Sequence, residues 1–135
     1  MRVLVTGSNG FIGRNLIVRL GELNIQVVTY TRENVLQDLD ELIRNSNFIV
    51  HLAGENRPVD EKDFDIVNAG LTASICDVVR SVGKQTPTIF SSSAQAILNN
   101  SYGKSKLDAE TAIKELEIDT GSPVYIYRLP GVFGK

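Results

Sequence analysis

The stretch SSSAQAILNNSYGKSK sets a serine cluster, Ser91, Ser92 and Ser93, ahead of Tyr102, and Tyr102 stands four residues before Lys106. On a helix a spacing of four projects both side chains from one face. Free tyrosine ionises near ~10 and is a poor acid-base group at neutral pH, but an adjacent ammonium favours the phenolate and lowers that value. A tyrosine so placed can hand a proton to a carbonyl oxygen as hydride reaches the carbon, while a serine hydroxyl holds that oxygen. Chance often supplies a tyrosine and lysine four apart, packed and solvated respectively. The serines at the preceding strand end give this pair its weight.

A second constellation, TGSNGFIG, places Gly7, Gly10 and Gly13 between an apolar run and a helical pattern. A tight turn at Gly7, a backbone without Cβ at Gly10 and close helix-to-strand contact at Gly13 let a pyrophosphate sit on the start of a helix, where free N–H groups and the positive dipole end meet it. The spacing is G-x-x-G-x-x-G rather than G-x-G-x-x-G. Asn9, Phe11 and Ile12 in the same loop are expected to share the cofactor contacts. The next strand end reads VVTYTREN, with no acid to hold a ribose 2′-hydroxyl and with Arg32 available for a 2′-phosphate. NADP(H) is therefore expected in preference to NAD. Glu33 could instead satisfy Arg32 locally, and Arg14 is a second candidate for the phosphate.

These residues need a scaffold that brings strand ends together. Short unalternating apolar runs at residues 2–6, 25–30, 48–54, 88–92 and 123–128 read as strands buried on both faces. Between them fall helical patterns. Phe11, Ile12, Leu16, Leu20 and Leu23 recur with Asn24 as a stop, and Leu36, Leu39, Leu42 and Ile43 mark a short amphipathic helix. Residues 60–82 carry Phe64, Val67, Leu71, Ile75, Val78 and Val79, with Gly83 as a cap, and residues 102–118 carry Leu107, Ala109, Ile113 and Leu116 on the inner side. Strict alternation predicts an α/β fold, a Rossmann-like doubly wound parallel sheet of about five strands, with ligands at the carboxyl ends. Only about 16 residues separate Tyr30 from the next strand, so the third strand of a six-stranded arrangement is expected to be shortened or absent.

Bulk properties bound the rest. With 135 residues and 42% hydrophobic content, the chain suits one domain, residues 1–135. A net charge of −2 without basic runs argues against nucleic-acid binding. Apolar runs of strand length and no apolar leader argue against a membrane segment. The one cysteine, Cys76, lies in an apolar helical stretch and suits a reducing, cytoplasmic setting; no metal site is expected.

The loop TGSNGFIG, the strand FIVHLAG, the segment VNAGLT, the cluster SSS and SYGKSK together resemble the extended short-chain dehydrogenase/reductase family of sugar-nucleotide epimerases, dehydratases and reductases. More narrowly, HLAGENRP, SSSAQA and VYIYRLPGVFGK look like the N-terminal reductase domain of capsular-polysaccharide enzymes that reduce a UDP-4-keto-6-deoxy-N-acetylhexosamine. The resemblance implies that Gly7, Gly10 and Gly13 contact the pyrophosphate, that Ala53 and Gly54 line the adenosine side with Leu52 also among the cofactor contacts, and that Asn68 in the active-site helix helps hold the proton-relay geometry. It makes Tyr102 the general acid and gives Lys106 two tasks, lowering the tyrosine pKa and holding the nicotinamide ribose. Ser93 fits the carbonyl-polarising serine, with Ser92 the alternative. Arg57 reads as a solvated loop arginine and His51 as structural.

Dehydratases in the family carry an acidic pair where this chain has Ala94 and Gln95, and the epimerases usually keep NAD with an acid at the second strand end. Reduction of a nucleotide-sugar C4 ketone by NADPH therefore fits best. A 4-epimerase, a non-catalytic dinucleotide-binding module and an inactive fragment are the rival readings. Relatives continue past LPGVFGK into a substrate-binding portion, so the chain is expected to be the cofactor part of a longer enzyme, and Gly131 departs from the asparagine common at that place. Relatives also pair the two long helices into a homodimer, although the outer segments DAE and KELE read here as solvated surface.

Overall fold

The computed structural model describes residues 1–54 and 69–130. Five strands, β1 (Arg2–Thr6), β2 (Gln26–Tyr30), β3 (Phe48–His51), β4 (Thr88–Ser93) and β5 (Val124–Leu129), form one parallel sheet in the order β2-β1-β3-β4-β5. The helices are α1 (Phe11–Glu22), α2 (Asp38–Arg44), α3 (Leu71–Val82) and α4 (Ser101–Thr120), with a 3-10 turn at Ala94–Ile97. Alternation along β1 explains the layers. Val3 and Val5 face Leu16 and Leu20 of α1, while Leu4 faces a core of Ile49, Phe90, Ile75, Ile113 and Leu116 beneath α2, α3 and α4. β2 is an edge strand, and residues 31–47 hold a turn and α2 but no further strand, so the expected shortening is complete. No helix among the described residues is long and apolar enough to cross a membrane.

Helix ends follow local chemistry. Asn24 takes a left-handed φ of 59° just past α1, and Gly83 and Gly121 do the same after α3 and α4. At α4 the Asn100 side chain accepts the Gly103 N–H at 2.7 Å.

Several inward assignments are corrected. Leu36 precedes α2 and is exposed, because the Asp38 carboxylate accepts the Val35 N–H at 3.1 Å and closes a turn before the helix begins. Leu23 is exposed beyond the last turn of α1. β3 ends at His51 rather than residue 54: the Leu52 N–H is shared between the Thr6 carbonyl at 3.2 Å and the Thr6 hydroxyl at 3.1 Å, and the Ala53 N–H turns to that hydroxyl at 3.0 Å. On α4, Leu107 points outward and the buried stripe runs Lys106, Ala109, Glu110, Ile113, Leu116. Glu110, expected on the solvated side, is therefore a core residue. Of the expected helix at residues 60–82, the part before Ala69, with Phe64 and Val67, lies outside the described residues.

A polar row crosses the sheet beneath α3 and α4. Thr6 pairs in register with His51, and His51 with Phe90. The Thr6 hydroxyl has one hydrogen and two lone pairs; both lone pairs accept backbone N–H groups, so its hydrogen goes to His51 Nδ1 at 2.6 Å. His51 is then the Nε2–H tautomer and donates to the Thr72 hydroxyl of α3 at 2.8 Å. Its sequence reading as a structural residue agrees with this placement. Cys76, also buried in α3, has its thiol pushed up to about 11, chiefly by burial.

Two predictions follow from this packing. A Cβ at Gly103 would overlap the Gln95 carbonyl oxygen, with the Leu98 carbonyl also close; Gly103→Ala should lower the urea-unfolding free energy by about 1–3 kcal/mol, the usual penalty for overpacking, and an unchanged midpoint would contradict that contact. Burial, with a smaller contribution from the Lys106 charge, pushes the His51 pKa down to about 3. Between there and the ordinary value near ~6.5 the unfolded chain binds a proton that the folded chain refuses, so stability is full above that range and lost as pH falls through it. Between pH 6.5 and 5 the loss should be about 1.5 kcal/mol from this group. His51→Gln should be less stable throughout but flatter in that window, and parallel curves would contradict the assignment.

Candidate active site

The strand order reverses between β1 and β3, and in an open α/β sheet ligands bind beyond the carboxyl ends of the strands at such a switch point. The glycine loop forms one lip. Gly7 has φ 71°, and its carbonyl accepts the Gly10 N–H at 3.1 Å to close a tight turn. A Cβ on Gly7 would stand 2.6 Å from the Ala53 nitrogen, and one on Gly13 would overlap the Gly7 carbonyl. Both positions therefore require glycine for the loop to lie against residues 52–53 and for α1 to start beneath it. The N-cap of α1 is Gly10, which brings no capping side chain. The first-turn N–H groups are left for an anion at the positive end of the helix.

The opposite lip is built by β4, the 3-10 turn and α4. Ser93 Oγ accepts the Gln95 N–H at 3.1 Å and so caps the 3-10 turn. Tyr102 is half-buried at the start of α4. One turn on, buried Lys106 donates from Nζ to the Ser91 carbonyl at 3.1 Å, with Nζ 5.2 Å from the Phe90 ring centre and 5.9 Å from that of Tyr102. Burial pushes its pKa down to about 8, and the Glu110 carboxylate opposes that fall. The Ser92 hydroxyl is buried with no hydrogen-bond partner of ordinary length, and its proximity to Glu110 adds a little to that carboxylate's acidity.

Between the lips lies a cleft of about 560 Å³, within the usual size range of small-molecule and cofactor sites. It joins the two constellations. Gly7 and residues 10–13 line one wall, Leu52 and Gly54 the floor, and Ser92, Ser93, Tyr102 and Lys106 the other wall. Phe11 and Ile12 thus face the cleft rather than the core. Asn9, Ala53 and Arg32 stand off the lining: Asn9 is exposed in the turn, Ala53 commits its N–H to Thr6, and Arg32 is exposed beyond the end of β2. Asn68 and Arg57 lie outside the described residues. Leu129 and Pro130 complete the wall at the end of β5, and the Ser91 carbonyl holds Lys106. The Ser91 carbonyl is not legible in the sequence pattern, because a backbone acceptor has no residue signature. The Thr6 hydroxyl was also missed, although a threonine ending an otherwise apolar strand was a visible signal.

A dinucleotide fits what the cleft offers: a glycine lip with uncapped helix N–H groups at one end and a phenol, an ammonium and serine hydroxyls at the other. Residues 3–135 match the NAD dependent epimerase/dehydratase family. A curated relative, the UDP-2-acetamido-2,6-beta-L-arabino-hexul-4-ose reductase of Pseudomonas aeruginosa, is 52% identical over 136 residues, covering 100% of this chain and 37% of its own length. The crystal structure of the capsular polysaccharide assembling protein CapF of Staphylococcus aureus superposes with a TM-score of 0.86 at 36% identity, over 100% of this chain and 37% of that one. The UDP-glucuronic acid 4-epimerase of Bacillus cereus in complex with NAD gives a TM-score of 0.87 at 19% identity, over 99% and 58% of the two chains, and shows the shared fold. The chain thus spans little more than a third of the length of its nearer relatives reported above. With its Rossmann-like sheet and glycine loop, it belongs to the NAD dependent epimerase/dehydratase family, whose members bind nicotinamide cofactors.

Proposed function

We propose that this chain is the dinucleotide-binding portion of a reductase that converts the C4 ketone of a UDP-linked 4-keto-6-deoxy-N-acetylhexosamine to an alcohol, in the making of a capsular or surface polysaccharide. The observation that carries the reading is the convergence of Ser93, Tyr102 and Lys106 on the cleft that begins at the glycine loop. The 52% identity to a reductase of such a nucleotide sugar supports the substrate class. Because the chain spans 37% of that relative, the proposal places the sugar-binding remainder of the site in a further portion of a longer protein.

Bound NADPH would supply the hydride. The protein's own part follows from its hydrogen bonds. One lone pair of Ser93 Oγ is taken by the Gln95 N–H, so its hydrogen is left to hold the ketone oxygen. Tyr102 gives its proton to that oxygen as charge develops, and Lys106, charged below about pH 8, favours the phenolate left behind. In the places where the family's dehydratases carry an acidic pair, Ala94 and Gln95 offer no acid for elimination. Arg32, beyond a strand end without an acid, is assigned to the adenosine 2′-phosphate, which makes NADP(H) the cofactor in preference to NAD.

In the longer enzyme, Tyr102→Phe should lower kcat by roughly 10²-fold or more, the usual scale of a lost general acid, while NADPH affinity stays within about threefold. Equal losses of binding and turnover would contradict the role of Tyr102. Fluorescence titration should show NADPH bound more tightly than NADH, with Arg32→Ala removing the difference. Equal affinities in the parent chain would overturn the cofactor assignment.

A further inference from the structure

The buried stripe of α4 carries two charged groups in succession. Lys106 faces the cleft, and Glu110, one turn further along the same face, has a side chain only 1% exposed. Its carboxylate receives Arg128 of β5 bidentately, from Nε and Nη2 at 2.7 Å each. A buried carboxylate is costly unless paired, and apolar residues of similar volume would fill such a place at least as stably. The pair therefore asks for a reason beyond packing. Its position supplies one: the negative member stands one helical turn from Lys106 on the same buried face of α4, and the positive member reaches it from β5.

We infer that Glu110, clamped by Arg128, is a positioning residue: its buried carboxylate, one turn from Lys106 on the same face of α4, holds the ammonium at the cleft. The inference rests on the reading of Lys106 as part of the reacting site. Among the described residues, the titratable groups around Lys106 are few. From α4 come Tyr102 and Glu110; from β3, His51, which is neutral; and from β5, Arg128. β4 offers serines and Phe90, and the 3-10 turn no titratable side chain. On α3, Arg80 is paired with Asp77 and with Asp119 near the end of α4. Lys114 bears on Glu110 in the same direction as Arg128. Glu110 is thus the one carboxylate in this set set against the cost of burying the ammonium, and Arg128 decides how much of that charge Lys106 feels.

Two substitutions should act in opposite directions. Glu110→Gln removes the negative charge and leaves the arginine uncompensated, so the Lys106 titration should move down by about one pH unit. Arg128→Gln leaves the carboxylate uncompensated, so the titration should move up by a similar amount, about one unit. A role in packing alone would move both upward, because a loosened helix admits water to a lysine whose ordinary value is higher. The measurement is the NMR titration of the Lys106 side chain in the 135-residue chain, followed at its Cε and Nζ signals without cofactor or substrate. Opposite shifts support the inference; shifts of one sign in both variants, or none, overturn it. If Glu110→Gln fails to fold, Glu110→Asp keeps the test open, since it preserves the charge and should leave the titration near the parent's, whereas a rise towards the ordinary lysine value would count against it. Because no turnover is read, failure of the reductase reading would show in the Tyr102→Phe kinetics and leave this titration untouched.

Discussion

The Thr6 hydroxyl ties the ends of β1 and β3 together, and most of the cleft depends on that tie. It shares the Leu52 N–H with the residue's own backbone carbonyl and takes the Ala53 N–H outright, which holds residues 52–53 against the glycine loop. By donating to His51 it fixes an uncharged imidazole, which in turn reaches α3 through Thr72. The close approach of residues 52–53 is what forbids a side chain at Gly7. One small polar group thereby sets the floor of the crevice, the shape of its phosphate lip and the protonation of the buried row behind it.

The same row explains the surroundings of Lys106. His51 and Phe90 lie side by side with ring centres 5.3 Å apart, and the ammonium rests over Phe90 while donating to the Ser91 carbonyl. A cation over an aromatic face keeps some electrostatic support after losing water. That support is incomplete, as the lowered pKa shows, and a charged Lys106 depends on what α4 places beside it.

Much of this was legible in the sequence. Each strand was marked by an apolar run, and the glycine and tyrosine-lysine motifs fell at strand ends because an α/β sheet puts ligand-facing loops there. Residues buried for polar reasons were harder to read. Periodicity assigns Leu107 inward and Glu110 outward on α4, since it counts apolar side chains, and this helix buries a lysine and a glutamate instead. Glu110 becomes a core residue only through Arg128, 18 residues away on β5, a distance no local pattern spans. Leu36 was misplaced for a similar reason: a carboxylate-capped turn, rather than hydrophobic spacing, set where α2 began.

Together the glycine lip and the serine, tyrosine and lysine wall describe a surface on which a dinucleotide could be held with its reactive ring beside a phenol. Family membership accounts for the first half of that surface, and the proposed reduction for the second. The most direct measurement follows the hydride itself. NADPH deuterated at the transferred C4 position is given to the longer enzyme with the UDP-linked 4-keto sugar, and the product is analysed by NMR and mass spectrometry. Deuterium bound at the sugar C4, with one NADP⁺ released per alcohol formed, is the expected result. A product without deuterium at C4, or a sugar altered with no net oxidation of the cofactor, would contradict the proposed reduction.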